Sequence, residues 1–203
     1  MVYTFSREDV FASNTHVITD GEYAVVIDPS SSLQEIIRKE PSLGRVKFEK
    51  CLLTHGHIDH FLEIQSYSRE GIEIIVPDLD AKGLTDIFYN CAFMLHSPTL
   101  RYEGEYTAVS DNSIIKTALG DIRVIATPGH TRGSVCYLLD DILFSGDTLF
   151  EGGGYGRCDL PSGNAGELYL SLRKLKGLNS NIAVYSGHGE SFTLGVSLDY
   201  LNI

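Results

Sequence analysis

Three imidazoles and a carboxylate are crowded into the stretch Thr54-His55-Gly56-His57-Ile58-Asp59-His60. Imidazole nitrogens and carboxylate oxygens are ligands for borderline divalent ions such as zinc, iron and manganese. Each residue alone has a plainer use. Asp59 could cap a following helix, and a lone histidine is usually a satisfied surface or core side chain. Together, with Gly56 keeping the turn open, they have the spacing of a metal site. The apolar run Cys51-Leu52-Leu53 precedes them and a helical pattern follows. A strand-to-helix turn would aim all four side chains into one space.

Similar groups recur at similar places. Thr127-Pro128-Gly129-His130-Thr131 sets a histidine just past a strand signal, Ser145-Gly146-Asp147 a carboxylate, and Ser186-Gly187-His188-Gly189 another histidine. His16 lies inside a strand pattern and reads as structural.

The elements that must position these groups alternate between strand and helix signals. Residues 3–5, 15–19 and 23–27 are β-branched and aromatic runs, the last two joined across Asp20-Gly21. Ser32-Leu33-Gln34-Glu35 is a capping box for a short helix that Pro41 stops. A strand over 50–54 delivers the histidine turn, a helix runs from Asp59 to Gly71, and 72–76 is again a strand. A helix is expected from Asp78 to about Tyr89. Residues 90–98 then form an apolar loop of the kind that packs as a connection or covers a pocket, and His96 lies on it. Strands follow over 105–109, 113–116, 121–126, 134–139 and 142–144. Asn164 with Glu167 caps an amphipathic helix with Leu168, Leu172 and Leu175 inward, and 182–185 closes the pattern as a strand.

Composition bounds what such a site can serve. A chain of 203 residues is expected to be one domain, 1–203, with 43% hydrophobic residues and no apolar run long enough to span a bilayer. Sixteen basic against twenty-seven acidic side chains give a net charge of -11, which disfavours nucleic acid and anionic membrane as partners. The N-terminal residues carry neither a basic leader nor an apolar core, so a cytoplasmic location is expected. Four cysteines without close pairing then read as buried thiols.

The ordered motifs Thr-His-Gly-His-Ile-Asp-His at 54–60, Thr-Pro-Gly-His-Thr at 127–131, Ser-Gly-Asp-Thr-Leu-Phe at 145–150 and Ser-Gly-His-Gly at 186–189 resemble those of the metallo-β-lactamase superfamily. Asp28, in Val-Ile-Asp-Pro, matches its first motif. The resemblance runs from about Asn14 to Gly189. It implies an α/β (α+β) fold, a four-layer αββα sandwich of two mixed β-sheets with helices on both outer faces and the site at one edge. It also implies a ligand set: His55, His57 and His130 on one metal, Asp59, His60 and His188 on a second, Asp147 bridging, and Asp28 accepting a hydrogen bond from a ligand imidazole. Two divalent ions are expected, zinc first, with iron and manganese as alternatives. The implied chemistry is attack on an ester-like carbonyl by a hydroxide bridging the metals, with Asp59 orienting or deprotonating the nucleophile.

Departures narrow the branch. One main group of class B β-lactamases has cysteine where Asp147 stands, and flavodiiron proteins carry glutamate in place of His57. Nucleic-acid-processing branches bring additional domains. The remaining resemblance is to the glyoxalase II-like group, which hydrolyses hydroxyacylglutathione thioesters such as lactoylglutathione. In the loop 152–163, Arg157 fits a basic, thiol-contacting position, and Tyr155 and His96 are further candidate substrate contacts. Asp159, however, stands where glyoxalase II has an aromatic residue. That loop more nearly resembles short glyoxalase II-like proteins and persulfide dioxygenases, and Arg157 with Asp159 could equally be a loop-bracing ion pair. No counterpart is expected for the helical domain that completes the glutathione site in glyoxalase II. Left open are a thioesterase, a lactonase or esterase of the same fold, a mononuclear-iron persulfide dioxygenase and a metal-stabilised scaffold. The expected partner is a small-molecule thioester or ester, and the chain a monomer or small homo-oligomer.

Overall fold

The structure, a computed structural model, describes residues 1–7, 13–95 and 101–201. Its first sheet contains β1 (Val2–Phe5), β2 (Thr15–Thr19), β3 (Tyr23–Ile27), β4 (Lys47–Leu52), β5 (Glu73–Pro77) and β6 (Thr107–Val109), in that spatial order. β1, β2 and β3 pair antiparallel, while β3 to β6 run parallel. The second sheet holds β7 (Ile114–Thr117), β8 (Gly120–Ala126), β9 (Val135–Leu139), β10 (Ile142–Gly146), β11 (Ala183–Ser186) and β12 (Phe192–Thr193) in the order β12-β11-β10-β9-β8-β7. Only β10 and β11 are parallel there. Among the described residues there are four α-helices: α1 (Leu33–Lys39), α2 (Ile64–Ser68), α3 (Ala165–Leu175) and α4 (Leu194–Asp199).

Side-chain alternation along the central strands builds the layers, because successive residues of a strand point to opposite faces. In β3, Ala24 and Val26 face α1 and α2, while Val25 and Ile27 face the second sheet. In β9, Val135, Tyr137 and Leu139 face the first sheet, and Cys136 faces α3 and α4. Both faces of these strands are buried, which is why they read as continuous apolar runs. Three apolar layers therefore separate four structural ones, giving the αββα sandwich that the motifs imply. On the outer face of the second sheet, Leu168, Leu172 and Leu175 of α3 are buried. Each contributes roughly 1.5–3 kcal/mol of transfer free energy. Asn164 caps α3 by accepting from the Gly166 and Glu167 amides, as expected, and Ser32 caps α1 through the Glu35 amide.

Parallel pairing puts the carboxyl ends of β3, β4, β10 and β11 at one edge of the sandwich, and β8 points the same way through its antiparallel neighbour β9. All the chemistry-bearing loops leave from that edge, as is usual for α/β sheets.

Two helical expectations are corrected. Instead of a helix from Asp59 to Gly71, the chain makes a single 3-10 turn, Ile58–His60, and α2 begins at Ile64. The Ile58 amide is bound by the Asn90 carbonyl and His60 is drawn to Asp28, so helical geometry cannot start before those bonds are made. The expected helix from Asp78 to Tyr89 is a 3-10 segment, Asp78–Leu84, followed by turns. Asp80 is turned inward, and Asp86 caps the Phe88 and Tyr89 amides. Strand β4 also begins three residues earlier than expected, at Lys47. β12 and α4 lie beyond any element anticipated from the pattern.

Candidate metal centre

Each functional side chain sits just past a strand end. Asp28 follows β3, with φ of 54°, a left-handed conformation that aspartate tolerates better than most residues. His55, His57, Asp59 and His60 follow β4, His130 lies between β8 and β9, Asp147 follows β10, and His188 follows β11. The structure gathers all seven expected ligands. Three groups have ligand atoms within 4.8 Å of one another: His55, His57 and His130; His55, His60 and Asp147; and Asp59, His60 and His188. Asp147 connects them, with Oδ1 3.3 Å from His60 Nε2 and Oδ2 3.5 Å from His130 Nε2 and 3.6 Å from His188 Nε2. Asp59 Oδ2 lies 3.4 Å from His188 Nε2 and 3.7 Å from His60 Nε2.

The rings are held from behind. His60 donates from Nδ1 to Asp28 Oδ2 at 2.8 Å, leaving Nε2 to face Asp59 and Asp147. His55 donates from Nδ1 to Thr54 Oγ1, which donates onward to Asp28 Oδ2. Asp28 Oδ1 takes the Thr54 amide, so one buried carboxylate orients two imidazoles and the turn that carries them. His130 donates from Nδ1 to the Arg157 carbonyl at 2.7 Å, again freeing Nε2. Fixing one ring nitrogen in this way selects the tautomer and aim of the other.

The donor set fits divalent cations. His130 Nε2 lies 2.8 Å from His57 Nδ1 and 3.1 Å from His55 Nε2, and His55 Nε2 lies 3.2 Å from His57 Nδ1. Nitrogens tetrahedrally disposed about a zinc ion at about 2.0–2.1 Å stand about 3.3 Å apart. His60 Nε2 and Asp147 Oδ1, both in the cluster, are buried without a hydrogen-bond partner among the described residues, and an orphaned buried polar atom is costly. Electrostatics agree. Burial and the neighbouring His130 push His57 down to about 3, and burial with the surrounding imidazoles lowers His55 well below the ordinary value. Both are neutral donors at pH 7. Burial alone would lower His60, but Asp28, Asp59 and Asp147 hold it well above the usual range. That cluster of carboxylates calls for positive charge at its centre. Gly187 completes the floor, since a Cβ there would stand 2.3 Å from Asp147 Oδ1.

The seven ligand candidates and Asp28 come together as the motifs imply. Of the three candidate substrate contacts, Tyr155 and Arg157 line a pocket of about 350 Å³ over the cluster, and His96 lies outside the described residues. Cys91 and Met94 line the same pocket, which gives the described part of the 90–98 loop a pocket-facing role. Arg157 itself donates from Nε and Nη2 to the two carboxylate oxygens of Asp159, each at 2.7 Å. His16 is structural, as read: from β2 it reaches the Ser186 carbonyl of the other sheet, and Thr4 Oγ1 meets its second nitrogen.

Asp80 escaped the sequence reading. Fully buried, it accepts from the Gly56 amide and Thr131 Oγ1 on Oδ2, and from the Gly133 amide and Tyr89 hydroxyl on Oδ1. It thus ties the histidine turn to the His130 loop. Gly133 must lack a side chain, because a Cβ there would lie 2.5 Å from Asp80 Oδ1. Its position in an expected helix hid it. A buried aspartate is legible only once its partners, scattered from 56 to 133, are brought together.

The Metallo-beta-lactamase superfamily profile matches residues 9–188, nearly the whole chain and every strand-end motif. The chain belongs to the metallo-beta-lactamase superfamily. A relative within it is the hydroxyacylglutathione hydrolase GloC of Haemophilus influenzae, 31% identical over 191 residues, covering 91% of this chain and 89% of that protein. An uncharacterized protein of Mycobacterium tuberculosis is 35% identical over 211 residues, covering 96% and 94%. Among solved structures, the BLEG-1 B3 metallo-beta-lactamase superposes with a TM-score of 0.87 at 27% identity, covering 98% of this chain and 97% of that one. The superfamily binds divalent metals and consists mostly of metal-dependent hydrolases, and this chain carries the groups to match. Among the described residues, no helix is long and apolar enough to cross a membrane.

Proposed function

We propose that this superfamily member is a dinuclear metal-dependent hydrolase of thioesters. Hydroxyacyl thioesters such as lactoylglutathione are the first class to try, and small esters and lactones the next. The observation that carries the reading is that two ligand groups meet through Asp147 at the floor of one pocket. His55, His57 and His130 would hold one ion, and Asp59, His60 and His188 the other. Zinc suits the donors best, with iron and manganese also competent. Ions held there would supply Lewis acidity toward the substrate carbonyl and bring the pKa of a bound water down to about 7.

The chain's own groups do the rest. Asp28, Thr54 and the Arg157 carbonyl keep three imidazoles aimed, so no reorganisation is needed as charge develops. Asp59 is more open to the pocket than the other ligands of its triad except His188, and is placed to orient the attacking water or take its proton. Hydrolysis forms a carbon–oxygen bond from water to the acyl carbon and breaks the carbon–sulfur bond. The sulfur keeps the bonding pair and departs as thiolate, whose parent thiol pKa of about 8.5 asks for little acid assistance. That suits a pocket with no evident general acid among its described lining residues.

Elemental analysis of the purified protein, combined with a panel of hydroxyacylglutathione, simple acyl thioester, lactone, β-lactam and persulfide substrates, tests this. Two metal equivalents with thioester turnover are expected. One iron per chain with oxygen uptake on the persulfide would overturn it in favour of a dioxygenase. Asp59→Asn should lower thioester turnover at least about a hundredfold. Near-normal activity in that variant removes Asp59 from the mechanism.

A further inference from the structure

The pocket over the cluster is polar at its floor and apolar at its walls. Ile58, Met94, Phe150, Tyr155 and Leu160 line it, and Cys91 adds a thiol that burial pushes up to about 11, so it is uncharged at neutral pH. The apolar surface continues past the mouth. Phe93, next to the pocket-lining Met94, stacks on Phe88 with ring centroids 5.7 Å apart, and Phe88 is 66% exposed. Exposed aromatic rings beside an apolar pocket extend the surface that an apolar ligand can cover.

Positive charge is scarce there. Among the described lining residues, Arg157 is the one side chain of fixed positive charge, and residues 8–12, 96–100 and 202–203 contain no lysine or arginine. The Nε–Nη2 edge of Arg157 is paired with the Asp159 carboxylate two residues away. A ligand carboxylate would have to displace Asp159 to be gripped at that edge, and at Nη1 it would meet a guanidinium whose charge is already matched. The surrounding net charge of -11 opposes an anion further.

Resting on the hydrolase reading and narrowing it, we infer that the substrate is a thioester with an aliphatic or aromatic acyl chain on a thiol that carries no carboxylate. A peptide thiol that carries two carboxylates, such as glutathione, is then the poorer carrier. The apolar walls take the chain, and Asp159 acts as a specificity residue by occupying the cation that would otherwise receive a carboxylate.

The metal-loaded protein is assayed for kcat/KM on acetyl, butyryl and hexanoyl thioesters of N-acetylcysteamine, a neutral thiol, and on the glutathione thioesters of the same acids. Rates should climb about fourfold per added methylene until the walls are filled, given the transfer free energy of a buried methylene. At equal acyl length the neutral thiol should be preferred by at least about tenfold. Asp159→Asn releases Arg157 and should narrow that preference severalfold; as a ratio measured within one variant, the readout does not depend on how much of the variant folds. Preference for the glutathione thioesters, or rates indifferent to acyl length, overturns the inference while leaving a thioesterase. An unchanged ratio in Asp159→Asn overturns the role given to the ion pair. Turnover of no thioester in either series overturns the hydrolase reading and this inference with it.

Discussion

The floor and the rim of the pocket are built on opposite principles. At the floor, His55, His57, His60, His130 and Asp147 are buried, and Asp28 and Asp80 hold the loops that carry them with charge-assisted hydrogen bonds from several directions. At the rim, Tyr155, Met94 and Arg157 are exposed, and Arg157 makes a local ion pair with a residue two positions away. Buried charge must be matched atom for atom or it unfolds the protein, so the floor admits few alternatives. An exposed rim carries no such penalty and is free to vary with substrate. The reaction type therefore resides in the part with the least freedom, and the choice of substrate in the part with the most.

That contrast can be broken at the floor first. Asp28→Asn removes the acceptor that orients His60 and, through Thr54, His55. Metal affinity or activity should fall about 10- to 100-fold, measured by chelator competition alongside turnover. Undiminished affinity would mean that the rings need no such bracing. Asp80→Asn touches no candidate ligand, yet it forfeits charge-assisted bonds to both ligand loops. A loss of about 3 kcal/mol is expected, a fall of roughly 6–12 °C in melting temperature, together with weaker metal binding. Equal stability would show that the two loops are positioned by something else.

His16 sharpens the comparison within the buried part. Burial pushes its pKa down to about 4, so the folded state holds it neutral where the unfolded state, near 6.5, takes a proton. Its contribution is complete above about pH 6.5 and is lost as the pH falls from 6.5 to 4, by roughly 3 kcal/mol over that window. His16→Gln should be less stable than the parent at pH 8 yet lose less between those values, as denaturant titrations at each pH would reveal. Parallel curves would exclude His16 from the acid limb. The smallest effect belongs to the rim. Arg157→Ala should leave the melting temperature nearly unmoved, since exposed pairs contribute little, and should barely change kcat/KM on thioesters of a neutral thiol. A large drop in stability would make the pair a brace after all.

Legibility in the sequence followed the same division. The histidine turn, Asp147 and His188 could be read because short-range spacing at strand ends is a local property, and Asp28 because its motif resembles the first motif of the superfamily. Strands β2 and β3 could be read to the residue because their apolar runs are bounded by turn residues. The helices after Asp59 and Asp78 could not. Their periodicity was overridden by tertiary hydrogen bonds, from Asn90 to Ile58 and from Asp80 to Gly56, Thr131 and Gly133, which local propensity does not encode.

By itself the sequence determined the sandwich, the superfamily and the identities of the groups that could hold metal, since each depends on patterns a few residues long. Only the tertiary structure decided that Asp80 joins loops some seventy-five residues apart, at Gly56 and Thr131, and that Arg157 is already engaged by Asp159. Those facts are distances between atoms remote in the chain or set by a loop's backbone, and a one-dimensional pattern contains neither.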